Sequence, residues 1–295
     1  MTLSGLVVVD KPGAITSHGV VARVRRLAGT RKVGHAGTLD PMATGVLVLG
    51  INRATRLLGH LMLTEKGYDA TIRLGVSTTT DDAEGDQVEA VAADHLTERA
   101  VRDALGQFVG EIEQVPTAVS AIKVDGKRAY QRVRAGEEVE LKARPVTVHQ
   151  IEVHDVVSVP AGDGPPAMDV RVSVRCSSGT YIRAIARDLG AALGVGGHLT
   201  ELRRTAVGPF DLAAAHTLEE LEGEFTMIPI ADAARAAFPA YELDAEQASA
   251  VRVGRQISLG LPGLTAVFAP DGEFLALYEP TVGSDLDRPV AVFAE

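Results

Sequence analysis

The chain of 295 residues lacks the features that mark several protein classes. A single cysteine excludes an internal disulfide and fits a reducing compartment. There is no tryptophan, and aromatic residues make up only 4% of the chain. No run approaches the ~18 consecutive apolar residues of a membrane-spanning helix, and the N-terminus lacks the basic and apolar regions of a secretory signal. We therefore expect a cytoplasmic protein that is not attached to a membrane.

The sequence also lacks the usual patterns for metals and nucleotide cofactors. The eight histidines have no cysteine pair to complete a zinc-binding pattern. Neither a Gly-x-x-x-x-Gly-Lys-Ser/Thr loop nor a Gly-x-Gly-x-x-Gly turn follows a predicted strand. We therefore expect no metal and no organic cofactor.

The apolar content of 46% is sufficient for a core and excludes wholesale disorder. β-Rich runs lie both next to one another and on either side of helical patterns, which predicts an α+β fold with a mixed, mainly antiparallel sheet flanked by helices. Short strands and turns dominate the end of the chain. We predict one domain over residues 1–228 and a small β-rich domain over residues 229–295.

Local patterns predict individual elements. The clearest are a strand at residues 6–9, a helix capped by Thr16 or Ser17, and a helix capped by Thr97. Residues 30–45 show neither the helical nor the strand period of apolar residues, which predicts a long loop. The remaining predictions include helices over 54–63 and 180–193 and strands over 46–51, 68–74, 146–153, 168–176, 256–259, 264–269, 273–278 and 289–293.

The net charge of −10 is unevenly distributed. Residues 1–60 carry +6 and residues 117–150 carry +3, whereas residues 208–295 carry −11. The two basic segments would form a cationic face for phosphates if they converge in space. The alternative is that they are ordinary solvated surfaces. The basic residues singled out are Arg25, Arg26 and Lys32 in the first segment, and Lys123, Lys127 and Arg128 in the second.

One carboxylate, Asp40, lies in the aperiodic stretch between Leu39 and Pro41. Pro41 removes a backbone donor and favours an extended Asp40, so the side chain has a restricted direction. A carboxylate held in this way can act as a nucleophile or a base. An Asp-Pro turn that only caps the next element is the alternative.

The sequence at residues 34–45, Gly-His-Ala-Gly-Thr-Leu-Asp-Pro-Met-Ala-Thr-Gly, resembles the catalytic signature of the bacterial TruB family of tRNA pseudouridine-55 synthases. Five further blocks follow the family's order, at residues 10–12, 66–68, 120–130, 177–183 and 198–205. The similarity covers about residues 4–210. It implies the pseudouridine synthase fold, and the acidic tail loosely resembles a PUA-like module.

The resemblance implies roles for individual residues. Asp40 would be the catalytic aspartate, which attacks either C6 of the uracil or C1′ of the ribose. Tyr68 would stack on the target base and help to move a proton, and Tyr181 would line the same pocket. Arg183 would pair with Asp40 and keep it ionised.

Other residues would support the substrate. His35 would help to extrude the target nucleotide, or else only stabilise its loop. Lys11 would pack or hydrogen-bond beneath the active-site loop, and Leu202 would form a pocket wall or simply belong to the core. Residues 117–145, which include Lys123, Lys127 and Arg128, would form a basic RNA-binding insertion.

The implied activity is the isomerisation of uridine 55 in the tRNA T-loop, by a monomer acting without a guide RNA. Three alternatives stay open at this point. They are an RNA-folding chaperone in which the isomerisation is dispensable, a guide-RNA-dependent relative, and an unrelated hydrolase that uses Asp40.

Overall fold

The computed structural model describes residues 4–117, 123–124, 127–128, 141–161 and 164–294. The strands are β1 Gly5–Lys11, β2 Val33–His35, β3 Thr44–Ile51, β4 Lys66–Leu74, β5 Val76–Thr78, β6 Gln87–Ala90, β7 Gly110–Gln114, β8 Lys123–Val124, β9 Lys127–Arg128, β10 Arg144–Val159, β11 Ala167–Cys176, β12 Gly197–Val207, β13 Phe210–Asp211, β14 Ile228–Pro229, β15 Ala240–Glu242, β16 Thr265–Phe268, β17 Phe274–Pro280 and β18 Asp287–Val292.

The helices flank this strand framework. They are α1 Ser17–Leu27, α2 Leu58–Leu61, α3 Glu98–Gly106, α4 Ile182–Ala192, α5 Leu218–Gly223, α6 Ile230–Ala237 and α7 Ala245–Arg252, with 3₁₀ turns at Asn52–Arg56 and Leu212–Ala214. Thr16 caps α1 by accepting from the Gly19 amide, and Thr97 caps α3 by accepting from the Ala100 amide. These two predicted caps are confirmed.

A large curled sheet is formed by strands that lie between residues 5 and 229. Its strand order is β14-β1-β3-β12-β4-β11-β10-β7, with β2 added to β3 and β13 to β12. Among its described pairings, only β3 and β12 run parallel, and they share only two residue pairs before they diverge. The predicted α+β class with a mainly antiparallel sheet is confirmed.

Strands β1 and β3 bury both faces, which explains their unbroken apolar sequence. Leu47 and Leu49 face a core that also contains Val20 and Val24 of α1. Val46 and Val48 face a second core that reaches Phe268, Phe274 and Phe293 near the end of the chain. The C-terminal part therefore packs on the face of β1 and β3 opposite to α1.

The C-terminal part contains a four-stranded sheet in the order β15-β16-β17-β18. Arg53 Nη1 donates to the Phe293 carbonyl at 2.7 Å, and Arg56 Nη1 donates to the Val292 carbonyl at 2.6 Å. These bonds join the 3₁₀ turn Asn52–Arg56, which follows β3 of the large sheet, to the end of the C-terminal part. The division into domains at residue 228 stays a prediction.

Two local predictions are wrong. The stretch 30–45 is not wholly a loop, because Val33–His35 pairs with β3 as an added strand too short to show a period. No strand forms over 256–259, where Ile257 makes a single bridge to Asp287. The Asp287 carboxylate accepts from the Leu259 and Gly260 amides, so a side chain replaces the strand ladder there.

Candidate active site

The segment that carries Asp40 is pinned on both sides of the carboxylate. The Leu39 amide donates to Ser17 Oγ at 2.9 Å, and Ser17 Oγ donates to the Leu39 carbonyl at 3.0 Å. On the other side, Lys11 Nζ donates to the Pro41 carbonyl at 3.1 Å. Because both neighbours are fixed, the Asp40 side chain is directed by the backbone.

Lys11 is fully buried beneath this segment. Its ammonium also donates to the Pro12 and Ile15 carbonyls, at 2.9 and 2.8 Å. Burial lowers the pKa of Lys11 to about 8, although the nearby Asp40 carboxylate opposes that change. Of the two expected modes, packing or hydrogen-bonding, Lys11 makes hydrogen bonds beneath the segment that carries Asp40.

Asp40 pairs with Arg183, which lies in the first turn of α4. Arg183 Nε lies 3.1 Å from Asp40 Oδ2, with 6% of the arginine side chain and 36% of the aspartate side chain exposed. The predicted pairing is present in the structure. Asp40 is thus reachable from a cleft while its partner is buried.

A second carboxylate, Asp82, shares the same guanidinium. Arg183 Nη1 lies 3.1 Å from Asp82 Oδ2, and the Asp82 side chain is 3% exposed. The Thr80 hydroxyl donates to Asp82 at 2.5 Å, and the Glu84 amide donates at 3.0 Å. The result is a chain of charges, Asp40–Arg183–Asp82, with one positive and two negative groups.

This arrangement determines the pKa of Asp40. Burial raises the pKa of its carboxyl above the ordinary value, and the Asp82 charge acts in the same direction. The Arg183 and Lys11 charges lower it. The two effects compete, so the pairing with Arg183 only partly offsets the cost of holding Asp40 as an anion.

The Asp40 carboxylate opens into a cleft of about 280 Å³. Tyr68 of β4 and Leu202 of β12 are buried walls, and Tyr181 is half-buried just before α4. Gln114 fixes the Tyr181 backbone by accepting from its amide at 2.7 Å and donating to its carbonyl at 3.0 Å. The structure therefore brings together five predicted residues around one cavity: Asp40, Tyr68, Tyr181, Arg183 and Leu202.

Comparison with known proteins gives a consistent result. Residues 25–182 match the model of the TruB family pseudouridylate synthase N-terminal domain, residues 183–234 that of the tRNA pseudouridylate synthase B C-terminal domain, and residues 238–294 that of the tRNA pseudouridine synthase II C-terminus. The chain belongs to the TruB family of pseudouridylate synthases. The predicted family membership is thereby confirmed.

The relatives cover nearly the whole chain. The tRNA pseudouridine synthase B of Thermobifida fusca is 61% identical over 98% of this chain and 98% of its own length. The enzyme of the same name from Streptomyces griseus is 56% identical over 99% and 98%. A chain in an H/ACA RNP bound to a substrate RNA containing 2′-deoxyuridine matches with a TM-score of 0.73 and 27% identity, covering 99% of this chain and 85% of that one.

In the described part of the chain, His35 is not among the residues that line the cleft at Asp40. It is half-buried in β2, and its ring contacts the His18 ring edge-on, with centroids 5.5 Å apart. This placement fits a residue that stabilises the loop. Its part in nucleotide extrusion stays a prediction.

The basic residues of the first segment lie at the surface. Arg25 and Arg26 are exposed on α1, and Lys32 is exposed before β2. Arg25 Nη2 donates to the Val33 carbonyl at 3.0 Å, and Arg26 lies 3.7 Å from Glu222. In the second segment, β8 and β9 pair antiparallel. The Lys123, Lys127 and Arg128 side chains lie outside the described part of the structure, as does most of 117–145.

Sequence reasoning gave no role to three buried polar residues of the site. Lys66 and Arg204 lie inside the blocks at residues 66–68 and 198–205 that resemble the family, and this membership could have marked them as candidate site residues. Asp82 stands in the acidic run at residues 81–86, where no feature of the sequence distinguishes a buried aspartate from an exposed one. Asp81 adopts φ +59°, and the turn there directs Asp82 inward.

In the described residues, the structure brings no three potential metal ligands together. None of the described helices has the length and apolar character needed to cross a bilayer.

Proposed function

We propose that this TruB-family chain converts uridine 55 in the T-loop of tRNA to pseudouridine, with Asp40 as the nucleophile and without a guide RNA. The observation that carries the proposal is the accessible Asp40 carboxylate, ion-paired to Arg183 at the base of a small cleft. The tRNA substrate is supported by the name shared by the most similar relatives, tRNA pseudouridine synthase B.

Covalent catalysis suits this reaction because it divides one difficult exchange into easier steps. Asp40 attacks C6 of the uracil or C1′ of the ribose, and the bond from C1′ to N1 breaks. The base then rotates and bonds to C1′ through C5, the bond to Asp40 breaks, C5 loses its proton, and N1 takes one up, so the product is an isomer of the substrate. The detached base must stay in the cleft, where Tyr68 and Leu202 provide the apolar surface that holds it.

The target uridine must leave its stack before it can reach Asp40, at a cost of a few kcal/mol. Contacts outside the cleft supply this energy, and we assign them to His35, to Arg25, Arg26 and Lys32, and to the basic segment with Lys123, Lys127 and Arg128. Recognition rests on the shape of the folded T-arm. We further propose that the enzyme acts as a cytoplasmic monomer without metal or cofactor.

Loss of the C5 proton gives a direct test of the role of Asp40. Transcribed tRNA labelled with tritium at C5 of uridine should release tritium to water with the wild-type protein. Asp40→Asn should reduce the rate at least about 1,000-fold, because it removes the nucleophile, while the tRNA dissociation constant changes only a few-fold. Retained turnover would contradict the nucleophile assignment.

A matched control is Asp169→Asn. Asp169 also accepts from an arginine, Arg73, at 2.7–2.8 Å, but it is not among the residues that line the cleft in the described part of the chain. Its rate should stay near that of the wild type. Incubation of the purified protein with a short T-arm transcript tests independent action, since a requirement for added guide RNA would exclude it.

A further inference from the structure

Arg204 is the largest fully buried side chain of the described residues, with 1% of the residue exposed. It lies on β12, directly opposite Tyr68 in the pairing with β4, and it borders the cleft that contains Asp40. A buried guanidinium is costly unless its donors are used. The groups that accept hydrogen bonds from the Arg204 guanidinium therefore indicate the role of this residue.

We propose that Arg204 is a positioning residue for the isomerisation: it clamps both ends of the loop that carries Asp40 and directs the hydroxyl group of Tyr68. This inference rests on the proposed function. One side chain, that of Arg204, would then set the position of the Asp40 carboxylate relative to the Tyr68 hydroxyl.

The clamp consists of hydrogen bonds to backbone on each side of Asp40. Arg204 Nε donates to the Val46 carbonyl at 2.7 Å, and Nη2 donates to the Gly37 carbonyl at 3.2 Å. Gly37 precedes Asp40 by three residues and Val46 follows it by six. One rigid, planar group therefore sets the separation of the two ends of the loop.

Close backbone contact makes this geometry possible. Arg204 pairs with Gly45 where β3 and β12 meet, and a Cβ at Gly45 would lie 2.2 Å from the Arg204 carbonyl oxygen. Gly45 also adopts φ +96°, which a side chain would strain. Glycine at this position lets β12 approach closely enough for its arginine to reach under the loop.

The second part of the proposal concerns the direction of the Tyr68 proton. Arg204 stands directly opposite Tyr68 in the β4–β12 pairing, and both side chains border the cleft. A guanidinium can only donate, so towards Arg204 the phenolic oxygen can only accept, and its own O–H points elsewhere, towards the base held in the cleft. Burial raises the pKa of Tyr68, and the charge of Arg204 opposes that rise.

Lysine cannot replace this arrangement. An ammonium on a flexible stem is a point charge, whereas the guanidinium has donors in a fixed fork that reach separate acceptors together. Arg204→Lys keeps the charge and most of the volume but loses the fork. Arg204→Met also removes the charge.

The test measures single-turnover pseudouridine formation and tRNA dissociation constants for both variants. A displacement of about 1 Å in a catalytic group can reduce a rate about 100-fold. We expect a loss of that size in Arg204→Lys and Arg204→Met, with tRNA dissociation constants within about threefold of the wild type. Arg203→Met is the control, because the neighbouring Arg203 pairs with Asp10 instead and should keep a near-normal rate.

A double-mutant cycle separates positioning from a merely structural role. In a Tyr68→Phe background, Arg204→Met should cost a smaller factor than in the wild type, because part of its effect acts through the missing hydroxyl. Equal factors in the two backgrounds, or a normal rate in Arg204→Lys, would overturn the proposal. If Arg204→Met does not fold, Arg204→Lys in the same cycle supplies the test.

The outcome is distinguishable from failure of the proposed function. A wild-type protein that forms no pseudouridine 55 contradicts the proposed function itself. A wild-type protein that does form it, together with active Arg204 variants, contradicts only the role given to Arg204.

Discussion

At the scale of single residues, the site depends on one guanidinium shared by two carboxylates. Arg183 faces Asp40 on one side and Asp82 on the other, each at 3.1 Å. Asp82 is buried and receives additional donors, so it is a fixed anion that holds Arg183 in place. Asp40 is the more exposed of the two carboxylates, with 36% of its side chain exposed against 3% for Asp82, and is the one open to the cleft.

Replacing Asp82 should therefore impair both stability and turnover. Asp82→Asn leaves Arg183 with one carboxylate and disturbs a buried ion pair, which should cost on the order of 1–3 kcal/mol of unfolding free energy. Single-turnover rates should fall more than tRNA affinity, because Arg183 loses the anion that orients it. Urea unfolding and rapid-quench assays measure the two effects.

The neighbouring residue provides the control. Asp81 pairs with Arg187 at 3.4 Å, and Arg187 is not among the described residues that line the Asp40 cleft. Asp81→Asn should leave the single-turnover rate near the wild-type value. A similar loss of rate in both variants would show that the loop, and not the pair with Arg183, is responsible.

The sequence allowed part of this site to be predicted. The ordered blocks at residues 34–45, 66–68 and 177–183 singled out Asp40, Tyr68, Tyr181 and Arg183, which the structure places around one cleft. Asp82 could not be found because its partner is 101 residues away. No local pattern distinguishes a buried aspartate from exposed ones in the same acidic run.

At the scale of elements, long and strongly patterned segments were predicted well. The capped helices α1 and α3 and the buried strand β3 follow from periodicity and capping residues alone. The strand β2 was missed because a three-residue strand is too short to show a period. Residues 256–259 have a strand-like pattern but form no strand, because the Asp287 side chain accepts from the nearby amides, and the local sequence does not reveal this distant partner.

Lys66 links two elements, and its burial predicts a pH effect on stability. From the start of β4, its ammonium donates to the Met62 and Thr64 carbonyls just after α2, both at 2.8 Å. Burial lowers the pKa of Lys66 from 10.5 to about 8. Between those values the folded protein has lost the proton while the unfolded chain still binds it, so stability rises with pH across that window.

The expected comparison is between the wild type and Lys66→Met. From pH 7 to pH 10.5, the unfolding free energy of the wild type should rise relative to that of the variant, by on the order of 2–3 kcal/mol. Urea unfolding at a series of pH values measures this change. The exposed Lys142 gives the control Lys142→Met, and a difference that falls with pH would contradict the sign of the effect.

At the scale of the whole molecule, the large sheet separates the C-terminal four-stranded sheet from the core that contains Tyr68. The acidic C-terminal part packs against Leu6, Val8, Val46 and Val48 on one face of β1 and β3. Tyr68 and Leu202 belong to the core on the other face. The net charge of −10 is therefore compatible with an RNA substrate, because residues 229–295, whose ten acidic and four basic residues give −6, pack away from that core. Leu218 and Leu221 of the acidic segment before them do belong to it.

This separation predicts how tRNA binding depends on salt. Replacing Arg25, Arg26 and Lys32 together by Glu should weaken tRNA binding and reduce the slope of log K against log salt, by roughly 0.7–0.9 for each phosphate that is no longer neutralised. The matched control replaces Arg252, Arg255 and Arg288 of the C-terminal part by Glu, which changes the net charge equally. Equal slopes for the two variants would refute a cationic face on the first segment.

The most direct test of the proposed function is to map pseudouridine, position by position, in an unmodified tRNA transcript incubated with the purified protein. We expect one pseudouridine, at position 55, that is absent when Asp40→Asn is used instead. Modification at another position, or none unless a guide RNA is added, would contradict the proposed function.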